Sequence, residues 1–390
     1  MTAKKIRILI VCMWPLGGIR TFLKYNYHYF PKDEFEISIV ANPTIEKEYL
    51  EEDMKSENME IHWASPFLKK NMLFFKVFGM LMWNKYDLIH SQGFTSAFYV
   101  SVCNIFFRIP HILTMHGVLE KKYFQGKFVN IRRLIFEKII KHVTVFHAVS
   151  TDILNHFQSE FPRIKNSGVR WEVIRNGIPS ERFFREQSGA GSELHKQLQI
   201  KEDIFLFGYF GRFMPEKGFG YIIEAVRNLR DAGRYVGNFI VLAVGSGDYE
   251  SMYKKDVEKN GLNDIIRFLP FTPHIDQLIK GCDAILMPSL AEAYGLLACE
   301  VLTAGIPIIV SDCMGLREAT RETPAISIPP GDAEAIAEAM LRIMSRPELK
   351  EEFVRFKTTA AERYDVENSA KKLIELFQDI VKNKQAGSMI

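Results

Sequence analysis

Residues 205–232 read FLFGYFGRFMPEKGFGYIIEAVRNLRDA and contain the pieces of one parallel α/β unit. The first six residues, Phe205–Phe210, are almost entirely apolar or aromatic, which is typical of a strand that is covered on both faces. A turn with Gly, Pro and charged residues follows, and Gly220–Ala232 then places its apolar residues at the spacing of an amphipathic helix. A strand that runs through a short turn into a helix predicts a doubly wound parallel sheet.

The same alternation extends over nearly the whole chain. Further predicted strands are Ile6–Cys12, Glu36–Ala41, Leu88–Ser91, His111–Met115, Thr144–Val149, Trp171–Ile174, Phe239–Val244, Ile265–Phe268, Ala284–Pro288 and Pro307–Ser311. The pattern breaks once, at residues 179–200, which are polar and rich in Ser and Gly. We therefore predict two α/β domains, residues 1–182 and 183–366, and a C-terminal helix and tail, residues 367–390. Ligands of such sheets bind outside the carboxyl ends of the strands, so a cleft between the domains is expected.

Composition excludes several classes of protein. The 390 residues are 47% apolar and 25% charged, unlike a disordered chain, a collagen-like repeat or a coiled coil. Five scattered cysteines without a Cys-x-x-Cys motif favour a reducing, cytoplasmic location. Residues 6–14 resemble the start of a signal peptide, but Arg7 interrupts the apolar run, so a first strand is the better interpretation.

Two cations flank the turn of the opening stretch. Arg212 and Lys217 would lie at the carboxyl end of their strand, where a guanidinium and an ammonium suit a diphosphate. The alternative is a surface ion pair between Arg212 and Glu216. Gly-bearing turns follow three other strands, at Gly17-Gly18, Gly245-Ser246-Gly247 and Ala293-Tyr294-Gly295, and glycine lets backbone amides approach a phosphate.

Two carboxylates mark residues 288–300, PSLAEAYGLLACE. If the eight steps from Glu292 to Glu300 were all helical, the two would stand about 12 Å apart. That is beyond the separations of about 5–5.5 Å and 6.5–9.5 Å that glycosidase pairs use. The spacing instead predicts that the two carboxylates bind opposite ends of one extended ligand. The alternative is that Glu300 is a solvated charge on the helix surface.

Together these residues resemble a glycosyltransferase of family 4, the retaining nucleotide-sugar-dependent group with the GT-B fold. The matching pieces, in family order, are Gly17-Gly18, Tyr86-Asp87-Leu88-Ile89-His90, Thr114-Met115-His116-Gly117, Ala148-Val149-Ser150, Val173-Ile174-Arg175-Asn176-Gly177-Ile178, Gly211-Arg212, Glu216-Lys217-Gly218, Glu292 to Glu300, Ser311-Asp312 and Gly315-Leu316-Arg317-Glu318. The resemblance implies two Rossmann-like domains facing a cleft, with a C-terminal helix that returns to the first domain.

The resemblance also implies a role for each matching residue. Arg212 and Lys217 would neutralise the donor diphosphate, together with the backbone of Gly17, Gly18 and Gly211. Glu292 would hold hydroxyls of the donor sugar, helped by backbone amides around Tyr294, Gly295 and Leu296. Glu300 would hold the ribose, and His116 would lie beside the reacting carbon.

Some features depart from the family or leave alternatives open. His90 is followed by Ser91 and Gln92 where His-x-His is frequent, and Arg175 stands where Pro often precedes Asn-Gly. The sequence contains no Asp-x-Asp motif and no His/Cys cluster with metal spacing, so no cofactor or metal is expected beyond the donor itself. A GT-B nucleotide-sugar epimerase and a partner subunit that binds nucleotide sugar without transfer are the alternatives to a hexosyltransferase.

Charge is unevenly distributed along the chain. Residues 1–185 carry a net +9 and the remainder a net −6, which indicates separate partners or drift in surface composition. Residues 66–85 and 121–138 interleave Lys and Arg with aromatic residues, as core helices with snorkelling lysines or as helices on an anionic membrane surface would. The acceptor is expected to be a saccharide, a lipid-linked saccharide or another hydroxyl compound. No nucleic-acid recognition motif accompanies the basic residues.

Overall fold

The computed structural model describes residues 4–387 except residues 56, 58, 65–71, 119–127, 166, 187–188 and 235–238. Contacts divide the chain into two compact units. The first unit consists of Met1–Gly177 and Val366–Ile390, and the second unit is Ile178–Asp365. The C-terminal helix therefore belongs to the first unit, as the fold resemblance implies.

The first unit is built on a seven-stranded, fully parallel sheet with the order β3-β2-β1-β4-β5-β6-β7. Its strands are β1 (Ile6–Cys12), β2 (Phe35–Ala41), β3 (Glu60–Trp63), β4 (Leu88–Gln92), β5 (His111–Met115), β6 (Val145–Ala148) and β7 (Arg170–Val173). Its helices are α1 (Gly18–Tyr27), α2 (Lys47–Lys55), α3 (Met72–Trp83), α4 (Phe94–Asn104), α5 (Val129–Lys141), α6 (Thr151–Glu160) and α16 (Val366–Gly387).

Helix α16 is part of the first unit's core. Leu373 and Phe377 are fully buried among residues of β1, β2 and α1. The Ser369 hydroxyl donates a hydrogen bond of 2.9 Å to the Asn26 side chain of α1, and both residues are buried. Burial of an apolar side chain of this size contributes about 1.5–3 kcal/mol, so the C-terminal segment is an integral element of this unit.

The second unit is built on a six-stranded parallel sheet with the order β10-β9-β8-β11-β12-β13. Its strands are β8 (Phe205–Phe210), β9 (Phe239–Val244), β10 (Ile266–Leu269), β11 (Ala284–Met287), β12 (Ile308–Ser311) and β13 (Ile326–Ile328). Its helices are α7 (Ser180–Phe184), α8 (Ala190–Gln197), α9 (Phe219–Asp231), α10 (Glu250–Lys259), α11 (Ile275–Gly281), α12 (Leu296–Ala304), α13 (Leu316–Ala319), α14 (Ala333–Ser345) and α15 (Leu349–Tyr364).

The sheets agree with the predicted strands except at two edges. Strands β3 and β13 were not predicted, because each is short, pairs on one side only and carries polar residues. The N-terminal segment of the first unit ends at Gly177, five residues before the predicted boundary at 182. The reason is that Ile178 already bridges to Asp365 and donates its N–H to the Tyr364 carbonyl at 2.8 Å.

Candidate active site

The strand order of the second unit brings two predicted loops together. Strand β8 lies between β9 and β11, so the chain winds outward from β8 in both directions and its order reverses between β8 and β11. The loops that follow these two strands therefore meet at the carboxyl edge of the sheet, where open α/β sheets bind their ligands. A backbone hydrogen bond of 2.8 Å from the Leu290 N–H to the Glu216 carbonyl joins the two loops.

The side chains of Lys217 and Glu292 form an ion pair across this junction. Lys217 Nζ lies 2.7 Å from Glu292 Oε1, and the Ser289 hydroxyl donates to the same oxygen at 2.8 Å. Both donors use Oε1, which leaves Glu292 Oε2 without a hydrogen bond to any residue that the structure describes. The sequence predicted both residues for the donor site but not their direct contact, and it did not single out Ser289.

Gly218 allows the two loops to approach this closely. Its φ is +74°, and a Cβ at this position would stand 1.9 Å from the Pro288 carbonyl oxygen. The glycine both adopts a left-handed conformation and leaves room for the neighbouring backbone. The position of Lys217 thus depends on the residue that follows it.

We expect Gly218→Ala to destabilise the protein by more than about 2 kcal/mol, because left-handed strain adds to a backbone clash. Gly233→Ala is the matched control, since Gly233 has a similar φ of +64° and no atom of a described residue within 4 Å of the added Cβ. Thermal unfolding of both variants checks this. Equal losses in melting temperature would show that φ alone matters and that the loops are not closely packed.

Arg212 supplies a second cation beside the same junction. Its side chain is exposed and makes no hydrogen bond or ion pair with the described residues, so the alternative pairing with Glu216 is not found. The loop around it is held by its backbone: Gly211 N–H donates to the Val244 carbonyl at 3.1 Å, and Phe213 N–H to the Ser246 carbonyl at 3.0 Å. The guanidinium is therefore available to an anion.

Helix α12 begins where the β11 loop ends. Residues 292–295 are not helical, so the helical estimate of the distance from Glu292 to Glu300 does not apply. Gly295, at φ +92°, precedes the first helical residue, Leu296, whose end of the helix carries the positive part of the helix dipole. Tyr294 is buried, and Glu300 is only 4% exposed, which contradicts the alternative of a solvated helix charge.

The first unit carries the remaining predicted residues. The Gly17 N–H, predicted to approach a phosphate, donates to the Glu46 carboxylate at 3.2–3.3 Å, and Gly18 starts α1. His116 follows β5, where its Nε2 lies 2.6 Å from Gln92 Oε1. Burial, helped by His147, lowers the pKa of His116 to about 3, so the imidazole is neutral at physiological pH.

Comparison with known proteins accounts for both units. Residues 16–182 match the family described as Glycosyltransferase Family 4, and residues 192–363 match Glycosyl transferases group 1. The chain belongs to these glycosyltransferases. A relative of this glycosyltransferase is the UDP-Gal:alpha-D-GlcNAc-diphosphoundecaprenol alpha-1,3-galactosyltransferase of Escherichia coli, which is 22% identical over 98% of this chain and 99% of its own. The putative teichuronic acid biosynthesis glycosyltransferase TuaC of Bacillus subtilis is 26% identical over 76% of this chain and 70% of its own.

Solved structures show that this glycosyltransferase has the GT-B fold. The Anabaena HepE structure in complex with UDP-glucose matches with a TM-score of 0.81, at 19% identity, over 96% of this chain and all of that one. WaaG, a glycosyltransferase involved in lipopolysaccharide biosynthesis, matches with a TM-score of 0.73 at 15% identity over 95% of this chain and 99% of its own. The fold thus agrees with the family matches, which identify the protein as a glycosyltransferase.

The described residues contain neither a membrane-spanning helix nor a cluster of metal-binding side chains. No helix among them combines the length and the apolar character needed to cross a membrane. No group of three or more His, Cys, Asp or Glu side chains in the described part of the chain is arranged to hold a metal ion.

Proposed function

We propose that this glycosyltransferase moves a hexose from a nucleoside-diphosphate sugar to an acceptor hydroxyl with retention of configuration and without a metal ion. The observation that carries the proposal is the Lys217–Glu292 pair at the β8–β11 junction, with the exposed Arg212 beside it. The pair offers a cation for a diphosphate and a carboxylate for sugar hydroxyls at one place. A nucleotide sugar contains both a diphosphate and sugar hydroxyls.

The cations and the carboxylate of the site would act on different parts of the substrate. As the bond from the anomeric carbon to the diphosphate breaks, negative charge develops on the leaving oxygen, and Lys217 and Arg212 would stabilise it electrostatically. Glu292 Oε2 would accept hydrogen bonds from sugar hydroxyls and so orient the ring. The acceptor oxygen attacks from the face that the diphosphate leaves and passes its proton to the departing phosphate oxygen. No covalent sugar–enzyme intermediate is needed.

The relatives suggest the class of donor and acceptor. The Escherichia coli relative is named for UDP-galactose and a lipid-diphosphate acceptor, and HepE was solved with UDP-glucose. We propose a UDP-hexose donor and a saccharide or lipid-linked saccharide acceptor, in the synthesis of a cell-envelope or extracellular polysaccharide. Gly17, Gly18, Gly211, Tyr294, Gly295, Leu296 and Glu300 are assigned to donor binding, and His116 to the sugar, on the family resemblance.

The test begins with a thermal-shift screen of UDP, GDP, ADP and their glucose and galactose esters, because a ligand that binds the folded state raises the melting temperature. The stabilising donor is then incubated with N-acetylglucosamine-diphosphate lipid in excess EDTA. We expect acceptor-dependent release of nucleoside diphosphate and an α-linked product by proton NMR.

Conversion of the donor sugar without acceptor would indicate an epimerase, and binding without turnover would indicate a non-catalytic subunit. A β-linked product would contradict retention, and loss of activity in EDTA would contradict metal independence.

We further propose that the first unit binds the inner face of the cell membrane through its basic, apolar surface. On α3, Leu73 and Val77 are buried in the core, but Trp83 is 82% exposed. Phe106, after α4, is 76% exposed and Leu134 of α5 is 62% exposed. Helix α3 thus has a core face, as the first of the two alternatives predicts, and an exposed apolar end, which supports the membrane proposal. Residues 66–71 and 121–127 of the basic segments lie outside the described residues.

Apolar side chains with basic neighbours suit the boundary of an anionic bilayer. The test is flotation with vesicles of 30% phosphatidylserine and with neutral phosphatidylcholine vesicles, at low salt. We expect binding to the anionic vesicles only, and at least about tenfold weaker binding for a Trp83→Ser, Leu134→Ser double variant. Absence of binding to anionic vesicles at low salt would overturn the proposal. The matched control is Met252→Ser, which replaces an exposed apolar residue of the second unit.

A further inference from the structure

A buried glutamine holds the imidazole of His116. Gln92 ends β4 in the middle of the sheet, in register with Cys12 of β1 and Thr114 of β5, and its side chain is 2% exposed. Its Oε1 lies 2.6 Å from His116 Nε2, and its Nε2 makes no hydrogen bond with a described residue. Because a side-chain carbonyl can only accept, this contact places a proton on His116 Nε2.

The neighbouring histidines cannot replace Gln92 as a partner. His147 Nε2 lies 3.0 Å from the Ile174 carbonyl and must donate, so its Nδ1 accepts from the Thr114 hydroxyl at 2.8 Å. The Thr114 oxygen in turn accepts from His90 Nε2 at 2.5 Å, and His90 Nδ1 accepts from the Tyr27 hydroxyl. Tyr27, His90, Thr114 and His147 thus form one hydrogen-bonded row, in which every polar side-chain atom has a partner. Both imidazoles in it are neutral.

Packing fixes the ring of His116 from another side. The Phe22 ring of α1 meets it edge-on, with ring centroids 4.7 Å apart. His116 Nδ1 makes no hydrogen bond to any side chain or backbone group that the structure describes. With the proton held on Nε2, this Nδ1 is a hydrogen-bond acceptor whose lone pair no described residue uses.

We propose that Gln92 is a positioning residue for glycosyl transfer: its Oε1 accepts the Nε2–H of His116 and keeps Nδ1 available to accept a hydrogen bond from a donor-sugar hydroxyl. The proposal rests on the proposed function, because the hydroxyl belongs to the nucleotide sugar. Gln92 stands where the resemblance to the family leads one to expect the second histidine of His-x-His. Unlike histidine, glutamine cannot be protonated, so it leaves the state of His116 unchanged between pH 6 and 8.

Substitution by glutamate makes the proposal testable. A Gln92→Glu carboxylate would favour the imidazolium form of His116, whose Nδ1 then donates and no longer accepts. Among the described residues, the titratable groups that face His116 are His90 on β4 and His147 on β6, both of which are hydrogen-bonded within the row. We therefore expect transfer by Gln92→Glu to fall about tenfold between pH 8 and pH 6, on the scale of one hydrogen bond, while wild type stays flat. Gln92→Leu should lose activity at all pH values.

The decisive experiment is long-range ¹H–¹⁵N NMR of protein labelled with ¹⁵N-histidine, with His116 assigned from the spectrum of His116→Gln. We expect the Nε2–H tautomer in wild type, a mixture of tautomers in Gln92→Leu and the imidazolium in Gln92→Glu at pH 6. The exposed Gln197→Glu is the matched control and should resemble wild type. An Nδ1–H tautomer in wild type, or an unchanged His116 in Gln92→Leu, would overturn the proposal. These spectra need no donor, so failure of the proposed function would show separately, as absence of turnover with every UDP-hexose.

Discussion

Lys217→Ala is expected to lower the turnover of the donor sugar by at least about 100-fold, the scale of losing one preorganised electrostatic contact to the transition state. The ammonium lies at the β8–β11 junction and would face the leaving diphosphate. Glu292→Ala should lose a similar factor, because its carboxylate would hold the sugar. Turnover is measured as acceptor-dependent release of nucleoside diphosphate at saturating donor.

The contact of 2.7 Å between the two side chains predicts how the variants combine. Residues in contact are not additive, so the double variant should lose clearly less than the product of the two single losses. The matched control is Lys254→Ala, which removes the lysine of an exposed pair with Glu250 at 2.6 Å in the same unit. Near-normal rates in folded Lys217→Ala and Glu292→Ala would contradict the assignment of these residues.

The first unit is expected to lose stability steeply as the pH falls below about 6.5. Burial lowers the pKa values of His111 and His116 to about 3 and that of His147 to about 4, and it lowers the pKa of His90 well below its usual value. The unfolded chain binds protons at these side chains below about pH 6.5, whereas the folded chain does not. The contribution of these neutral histidines to the free energy of unfolding is therefore fully present above pH 6.5 and is lost as the pH approaches 4.

The expected slope follows from the number of protons taken up on unfolding. Four histidines give about 5.5 kcal/mol per pH unit between pH 6 and pH 4.5, since one proton corresponds to about 1.4 kcal/mol per unit. Urea unfolding at several pH values measures this slope. His111→Gln should reduce it by about one quarter, and the exposed His142→Gln should not change it. A stability that stays constant from pH 7 to pH 5 would show that these imidazoles already bind protons in the folded protein.

Sequence patterns were sufficient for the parts of the fold that burial determines. The central strands, such as β1 and β8, are apolar at nearly every position and begin and end where predicted. The edge strand β3, Glu60–Trp63, has alternating polar residues and one neighbouring strand, so no continuous apolar run marks it. Edge pairing depends on the rest of the sheet, which a local pattern does not contain.

The candidate site, like the fold, could be predicted from the sequence only in part. Arg212, Lys217 and Glu292 could be predicted as candidates because charged residues follow buried strands, and adjacent strands bring their loops together. Gln92 appeared in the sequence only as a departure from His-x-His, although that departure was the available signal. Glu46 gave no signal, because its contact with Gly17 joins residues 29 positions apart through the packing of α1.

A crystal structure with bound UDP-glucose or UDP-galactose, whichever raises the melting temperature, tests the donor site most directly. We predict that Lys217 Nζ and the Arg212 guanidinium lie within about 3.2 Å of diphosphate oxygens and that Glu292 Oε2 accepts from sugar hydroxyls. A diphosphate bound away from the β8–β11 junction, with the Lys217–Glu292 pair intact and remote from the sugar, would contradict it.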